Sequence, residues 1–138
     1  RDGCGTIWTY PSLPFQGSHM ARLVNITEKV CMSHGFEPKI ALLCVTARKI
    51  NVAINPIYDR SVPGEDERAM VCHRELIAEL HKAGYLSSRL GIQSMDSMPL
   101  PDDDYGTFMM RLKQALDPND ILSPGRYDFR SQWPKEPV

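Results

Sequence analysis

The chain has 138 residues, 42% hydrophobic and 24% charged, the balance of an ordinary globular domain and not of a disordered or fibrous chain. Sixteen basic residues against seventeen acidic ones give a net charge of −1, without the basic excess of a general nucleic-acid binder. No uninterrupted apolar stretch approaches the roughly 20 residues of a membrane span.

The N-terminus, Arg1-Asp2-Gly3-Cys4-Gly5, is polar, with no apolar run behind it as in a secretory leader. It lacks an initiator Met, and the chain reads as a fragment of a longer protein. Gly5-Thr6-Ile7-Trp8-Thr9-Tyr10 is rich in β-branched and aromatic residues and predicts a strand stopped by Pro11. Pro11, Pro14 and Gly17 mark a loop, and Ser18 is placed to cap a helix. Met20, Leu23, Val24, Ile26, Thr27, Val30 and Cys31 recur at three- and four-residue steps, one face of that helix, and Gly35 ends it.

Ile40-Ala41-Leu42-Leu43-Cys44-Val45 is a continuous apolar run of a length that predicts a strand buried on both faces. A polar turn at Ala47-Arg48-Lys49 leads to a second strand marked by Ile50, Val52, Ile54 and Ile57, its alternation broken at Pro56. The two strands predict a hairpin. Pro63-Gly64-Glu65-Asp66-Glu67 opens a second helix, with acids in the first turn where the dipole favours them. Met70, Val71, Arg74, Leu76, Ile77, Leu80 and His81 continue it to Gly84, and Tyr85–Leu90 reads as a fourth strand. The order strand, helix, strand, strand, helix, strand predicts an α+β fold: a ferredoxin-like antiparallel sheet with both helices on one face.

Beyond it, residues 92–98 read as a short helix, and Pro99 and Pro101 break the chain. Asp102-Asp103-Asp104 start another helix, with Phe108, Met109, Leu112, Ala115 and Leu116 on its apolar face. Asp117-Pro118-Asn119-Asp120 stops that helix, Ile121–Arg126 is expected to be extended, and the tail from Tyr127 is expected on a surface. The chain thus divides into 1–98 and a C-terminal segment, 99–138.

The chemistry-bearing residues form no familiar local motif. Cys4, Cys31, Cys44 and Cys72 are widely spaced, read as free thiols, and favour a reducing compartment such as the cytoplasm. His19, His34, His73 and His81 lack HExxH spacing, and the acidic clusters precede helices, so no metal site is expected. No GxSxG, P-loop or GxGxxG occurs. Two segments stand out. Arg89 ends a mostly apolar strand, where its charge is costly unless it meets solvent or an anion. The segment from Asp117 to Arg126 carries two prolines, a glycine and an arginine, which restrict the backbone path.

Ala115-Leu116-Asp117-Pro118-Asn119-Asp120-Ile121-Leu122-Ser123-Pro124-Gly125-Arg126 resembles the signature (A/F)DPNxI(L/I)APG(R/K) of FAD-linked oxidases related to vanillyl-alcohol oxidase. The opening through Trp8 and Pro11 is similar to that family's segment ahead of a cap-domain helix. Gly84-Tyr85 with Ser88-Arg89 resembles the GYxxYR motif of the para-cresol methylhydroxylase branch. The resemblance implies the C-terminal part of a two-domain flavoenzyme: residues 1–98 as the substrate-binding cap, and 99–138 returning toward an FAD-binding domain upstream. The implied reaction is oxidation of a para-substituted phenol or related aryl alcohol by hydride transfer to FAD, through a quinone methide. It implies Arg89 and Ser88 as catalytic, and Trp8, Tyr85, Leu42, Asn51 and Asn55 as substrate-binding. Asn119, Pro124, Gly125 and Arg126 would lie at the cofactor.

The implied partners are a small aromatic substrate, the FAD-binding domain, and either a second copy of the chain or an electron-accepting cytochrome. The pattern is broken at four places: Ser88 stands for the family's tyrosine, Leu42 for an acid, and Asn51 and Asn55 for a histidine and an acid. Neither asparagine can serve as a general base near pH 7. Two alternatives stand beside the flavoenzyme reading: a stand-alone ferredoxin-like binding or regulatory module, and a catalytically inactive family member.

Overall fold

One long strand organises the first part of the molecule. In the computed structural model, which describes residues 3–97 and 104–127, that strand is β4, Lys49–Asp59. It pairs on one side with β3, Pro38–Thr46, and on the other with β1, Cys4–Thr6, and β2, Ser12–Pro14, all antiparallel. The hairpin of β3 and β4 turns at Ala47-Arg48, as the sequence predicts.

β1 and β2 are two ends of one interrupted strand. Thr6 stands opposite Ile57, Thr9 opposite Ile54 and Ser12 opposite Asn51, one register throughout. The sequence reading stopped this strand at Pro11; the structure carries it on to Pro14. Prolines explain the interruption. Pro11 accepts from Val52 N–H at 2.9 Å but has no N–H to return, and Pro56 has none to offer across the same ladder. Pro56 therefore removes a hydrogen bond without ending β4, which runs on to Asp59.

The predicted fourth strand is shorter than expected. It makes one bridge, Ser87 to Pro11, framed by Ser12 N–H to Leu86 O at 3.0 Å and Ser88 N–H to Tyr10 O at 2.9 Å. The sheet order is thus segment 86–88, the β1/β2 strand, β4, β3, the ferredoxin-like arrangement.

Two helices cover one face. α1 spans Gly17–Ser33 and α2 spans Glu65–Lys82. α1 begins one residue ahead of Ser18, the expected cap; extended Gln16 takes that place and makes no side-chain cap bond. Gly35 and Gly84 follow the helices at φ +75° and +86°, the left-handed conformation that stops them. Leu23 and Cys31 of α1, with Cys72, Leu76 and Leu80 of α2, pack on Ile50, Val52 and Ile54 of β4. Each of the larger aliphatic side chains contributes about 1.5–3 kcal/mol by leaving water.

β3 corrects the expectation of a doubly buried strand. It is an edge strand, and Ala41 to Val45 are exposed. Among the described residues no strand pairs with its outer side.

The chain divides into two compact units, Arg1–Gly91 and Ile92–Val138. In the second, Ile92–Ser97 forms 3-10 helix and α3 spans Asp104–Leu116. The segment after it is not extended as expected. Asp120, Ser123, Gly125 and Tyr127 all have positive φ, and the backbone turns repeatedly. Pro99, Pro101, Asp102, Asp103 and the tail beyond Tyr127 lie outside the described residues.

Candidate functional site: the helix-free face of the sheet

Opposed residues in an antiparallel ladder share a face. Thr9, opposite Ile54, and Leu13, opposite Ile50, point to the helices with Ile7 and Pro11. Trp8, Tyr10 and Ser12 therefore point the other way. Their register places Trp8 across from Asn55, Tyr10 across from Ala53, and Ser12 across from Asn51. On β3 the same rows continue to Lys39, Ala41 and Leu43. At the opposite edge Ser88 adjoins Tyr10, and Leu86 adjoins Ser12.

The face has a low centre, Ala41 and Ala53, and higher sides. Trp8, 56% exposed, stands on one side, and Leu43 on another. Its polar groups hold each other in place. Ser12 Oγ donates to Asn51 Oδ1 at 2.8 Å, and Asn55 Nδ2 donates to Thr6 Oγ1 at 3.2 Å. Ser88 Oγ donates to the Tyr10 carbonyl at 3.0 Å, the same oxygen that its own N–H reaches. Among the described residues, no group of three or more His, Cys, Asp or Glu is arranged to hold a metal.

The sheet brings together four of the residues singled out from sequence: Trp8, Asn51, Asn55 and Ser88. Arg89 follows Ser88 and is exposed. Two others lie elsewhere. Leu42 pairs with Val52 and so faces the helix side, 46% exposed beyond the helices. Tyr85 is buried beneath α1, where its hydroxyl and His19 Nδ1 share a hydrogen bond of 3.0 Å with the rings edge-on. Tyr10, Ser12, Ala41, Ala53 and Leu43 join the face without having been singled out. The alternation of Trp8, Tyr10 and Ser12 was the available signal, and it was cut off by reading Pro11 as a stop.

The signature loop lies in the second unit and is built around one carboxylate. Asp117 accepts from Ile121 N–H and Leu122 N–H, both at 2.9 Å, and pairs with Lys113. Lys113 Nζ also donates to Leu122 O at 2.7 Å. Lys113 first, and the two backbone N–H groups next, hold the Asp117 carboxyl down at about 2. The segment Asn119-Asp120-Ile121-Leu122-Ser123-Pro124-Gly125-Arg126 wraps this anchor, Gly125 adopts φ +72°, and Arg126 is exposed.

Residues 14–127 match the family described as FAD linked oxidases, C-terminal domain. The chain belongs to that family. Over 134 residues it is 46% identical to 1'-carboxy-chondrochloren decarboxylase of Chondromyces crocatus, taking in 97% of this chain and 25% of that protein. Over 130 residues it is 32% identical to the 4-cresol dehydrogenase [hydroxylating] flavoprotein subunit of Pseudomonas putida, taking in 91% of this chain and 24% of that protein. Among solved structures it resembles p-cresol methylhydroxylase with substrate bound, at TM-score 0.75 and 29% identity over 88% of this chain and 24% of that one. It shares its fold with 4-ethylphenol oxidase from Gulosibacter chungangensis, at TM-score 0.76 and 24% identity over 92% of this chain and 25% of that one. The chain spans about a quarter of the length of these relatives.

The residues present suit one side of a flavin ring. The helix-free face is low and apolar at Ala41 and Ala53, with room for a planar ring between its higher sides. No glycine-rich phosphate-binding motif occurs in the sequence.

Proposed function

We propose that the chain is the substrate-covering part of a flavin-dependent oxidoreductase that removes hydride from a para-substituted phenol or a related aryl alcohol. One observation carries this reading: the helix-free face gathers Trp8, Tyr10, Asn51, Asn55 and Ser88 around two alanines, in a chain of the FAD-linked oxidase family. FAD, held by further polypeptide, supplies the two-electron acceptor.

The chain's own residues orient the substrate and balance its charge. Trp8 forms an apolar wall against the ring. The exposed guanidinium of Arg89 meets the phenolate: a paired cation makes the phenol more acidic and stabilises the anion from which hydride leaves. Asn51 and Asn55 present amide groups that do not take a proton. In the second unit, Asn119, Pro124, Gly125 and Arg126 contribute the cofactor-facing loop, with Arg126 as its cation. Residues 1–98 are the cap and 99–138 the returning segment.

The test is anaerobic rapid mixing of the full-length protein with 4-alkylphenols and with their O-methyl ethers. The expected result is bleaching of the oxidised flavin band by phenols and slow or absent bleaching by ethers, which cannot form a phenolate. Equal rates with both would remove phenolate stabilisation from the reading. A protein without flavin would leave the stand-alone binding module, and one that holds flavin but reduces it with no alcohol would be the inactive relative.

A second reading is favoured by the lack of an acidic residue among those placed on the face. Asn51 and Asn55 would not repel a substrate carboxylate, and the Chondromyces crocatus relative is named as a decarboxylase. With a carboxylate one carbon beyond the benzylic position, hydride leaves the benzylic carbon and a quinone methide forms. The C–C bond then breaks, carbon dioxide departs, and its electron pair restores the phenolate. Carbon dioxide released in step with flavin reduction would support this reading; reduction without it would support the simple oxidation.

A further inference from the structure

Behind the candidate substrate face lies a buried histidine that the proposed chemistry does not use. His73, on α2, is 2% exposed, and its Nδ1 lies 3.0 Å from Oγ1 of Thr9, which is also 2% exposed. Thr9 is the best-held point of the interrupted strand. Its N–H donates to Ile54 O and its carbonyl accepts from Ile54 N–H, both at 2.9 Å. The named strands β1 and β2 end at Thr6 and begin again at Ser12, so between them Thr9 is the residue paired through both bonds.

Trp8 and Tyr10 flank Thr9 and point to the opposite face. Prolines weaken the ladder on either side, at Pro56 and Pro11. A segment with missing ladder bonds does not hold its side chains by backbone pairing alone. The Thr9 side chain supplies the missing constraint by tying the strand to α2 from behind. Burial holds the His73 ring below its ordinary pKa, with Arg74 acting in the same direction, so a neutral ring makes this bond at pH 7.

We infer that His73, acting through Thr9, is a positioning residue that sets Trp8 and Tyr10 on the substrate face. The inference rests on the function proposed above for that face, but its structural half does not require turnover. The expected change is in binding and not in the chemical step, because neither His73 nor Thr9 reaches the helix-free side.

The experiment uses the full-length protein carrying 5-fluorotryptophan, with the Trp8 fluorine line assigned by Trp8→Phe. Thr9→Val keeps the shape of the side chain and removes its hydroxyl; Thr9→Ser keeps the hydroxyl. His73→Asn keeps a hydrogen-bonding atom near the place of Nδ1, and His73→Leu removes it. Thr9→Val and His73→Leu are expected to shift or broaden the Trp8 line, with Thr9→Ser and His73→Asn close to wild type. In steady state the first pair raises KM about fivefold, the scale of one lost hydrogen bond, with kcat within about twofold.

A Trp8 line unmoved in Thr9→Val overturns the inference, even if the melting temperature falls, since that combination means a purely structural bond. Equal losses in kcat and kcat/KM overturn it as well. If the wild-type protein oxidises no aryl substrate, the function proposed above fails on that result alone, and the Trp8 line still decides whether His73 positions the face.

Discussion

Leu42 stands directly across from Val52 in the β3–β4 ladder, and its neighbour Leu43 stands across from Asn51. A shift of one residue along a strand exchanges the faces of a sheet. Leu43, 40% exposed, thus shares the helix-free face with Asn51, and Leu42 does not. In the full-length protein Leu43→Ala is expected to change kcat/KM for an aryl substrate by about tenfold, the scale of an altered apolar contact in a pocket. Leu42→Ala is expected to stay within about twofold. Steady-state kinetics on the two variants decides between the faces, and a larger effect at Leu42 would move the substrate to the helix side.

Ser88 and Arg89 are expected to behave differently. The Ser88 hydroxyl donates to the Tyr10 carbonyl, so its proton is already committed to the backbone. Arg89 follows Ser88 in the chain and is exposed. Arg89→Ala is expected to slow flavin reduction about tenfold or more, the loss of one charge-stabilising donor. Ser88→Ala is expected to slow it less than about threefold. Single-turnover flavin reduction measures both, and an unchanged rate in Arg89→Ala would take that residue out of the mechanism.

Local patterns were legible in the sequence where neighbours in the chain decide them. The apolar spacing from Met20 to Cys31 and from Met70 to Leu80 marks two helices because those faces repeat every turn. Gly35 and Gly84 mark their ends through backbone freedom alone. The hairpin was legible because its turn is local. Register was not, since it depends on which distant residue lies opposite: nothing near Trp8 in the chain names Asn55. Pro11 misled for a physical reason. A proline forfeits one donor, and here the strand survives the loss because Thr9 and the bonds to Leu86 and Ser88 hold it on both sides. Of the site, Trp8, Asn51, Asn55 and Ser88 emerged through family resemblance, and Tyr10 and Ser12 emerged only once the strand was seen to continue.

Gly5 sits beneath the Tyr58 ring. A Cβ at this position would lie 2.5 Å from Tyr58 Cε2 and Cζ and 2.7 Å from Arg60 Cγ. Tyr58 is tilted against Phe36, 6.1 Å between ring centroids, which restricts its retreat. Gly5→Ala is expected to destabilise by about 1–3 kcal/mol through overpacking. At Gly17 the same change meets nothing within 4 Å and is expected to be neutral or slightly stabilising, since it opens α1. Denaturant melts of the two variants make the comparison.

The signature loop is expected to depend on pH through Asp117. Its folded pKa, about 2, lies below the ordinary value of 3.8. A carboxyl with a depressed folded pKa stabilises the folded form above its unfolded pKa, and that contribution fades as pH falls through the folded one. Order in the loop should therefore be constant above about pH 5 and decline between about pH 4 and pH 2. Asp117→Asn should remove this dependence and loosen the loop at neutral pH, because an amide cannot accept from Ile121 and Leu122 and also pair with Lys113. Hydrogen exchange at the Ile121 and Leu122 amides reports both effects. Protection of these amides, relative to an unstructured peptide at the same pH, that did not fall between about pH 4 and pH 2 in the unmodified protein would show that Asp117 does not hold the loop.

The exposed side of β3 leads to a prediction about the longer protein. Val52 and Ile54 direct their N–H groups to the β1/β2 strand. Asn51, Ala53 and Asn55 therefore bond to Leu43, Ala41 and Lys39, and the backbone groups of Ile40 and Leu42 point outward. An edge that is apolar on both faces invites another strand, and natural proteins cover or charge such edges. In the full-length protein a further strand is expected to pair here. Cys44, exposed in this chain, should then react with iodoacetamide on the order of tenfold more slowly in the longer protein than in the 138-residue chain. Cys31 and Cys72, buried between the helices and the sheet, should resist in both. Peptide mapping after timed alkylation reads all three sites. Equal Cys44 rates in the two proteins would mean that β3 is a true edge and that its apolar run is covered by neither strand nor helix.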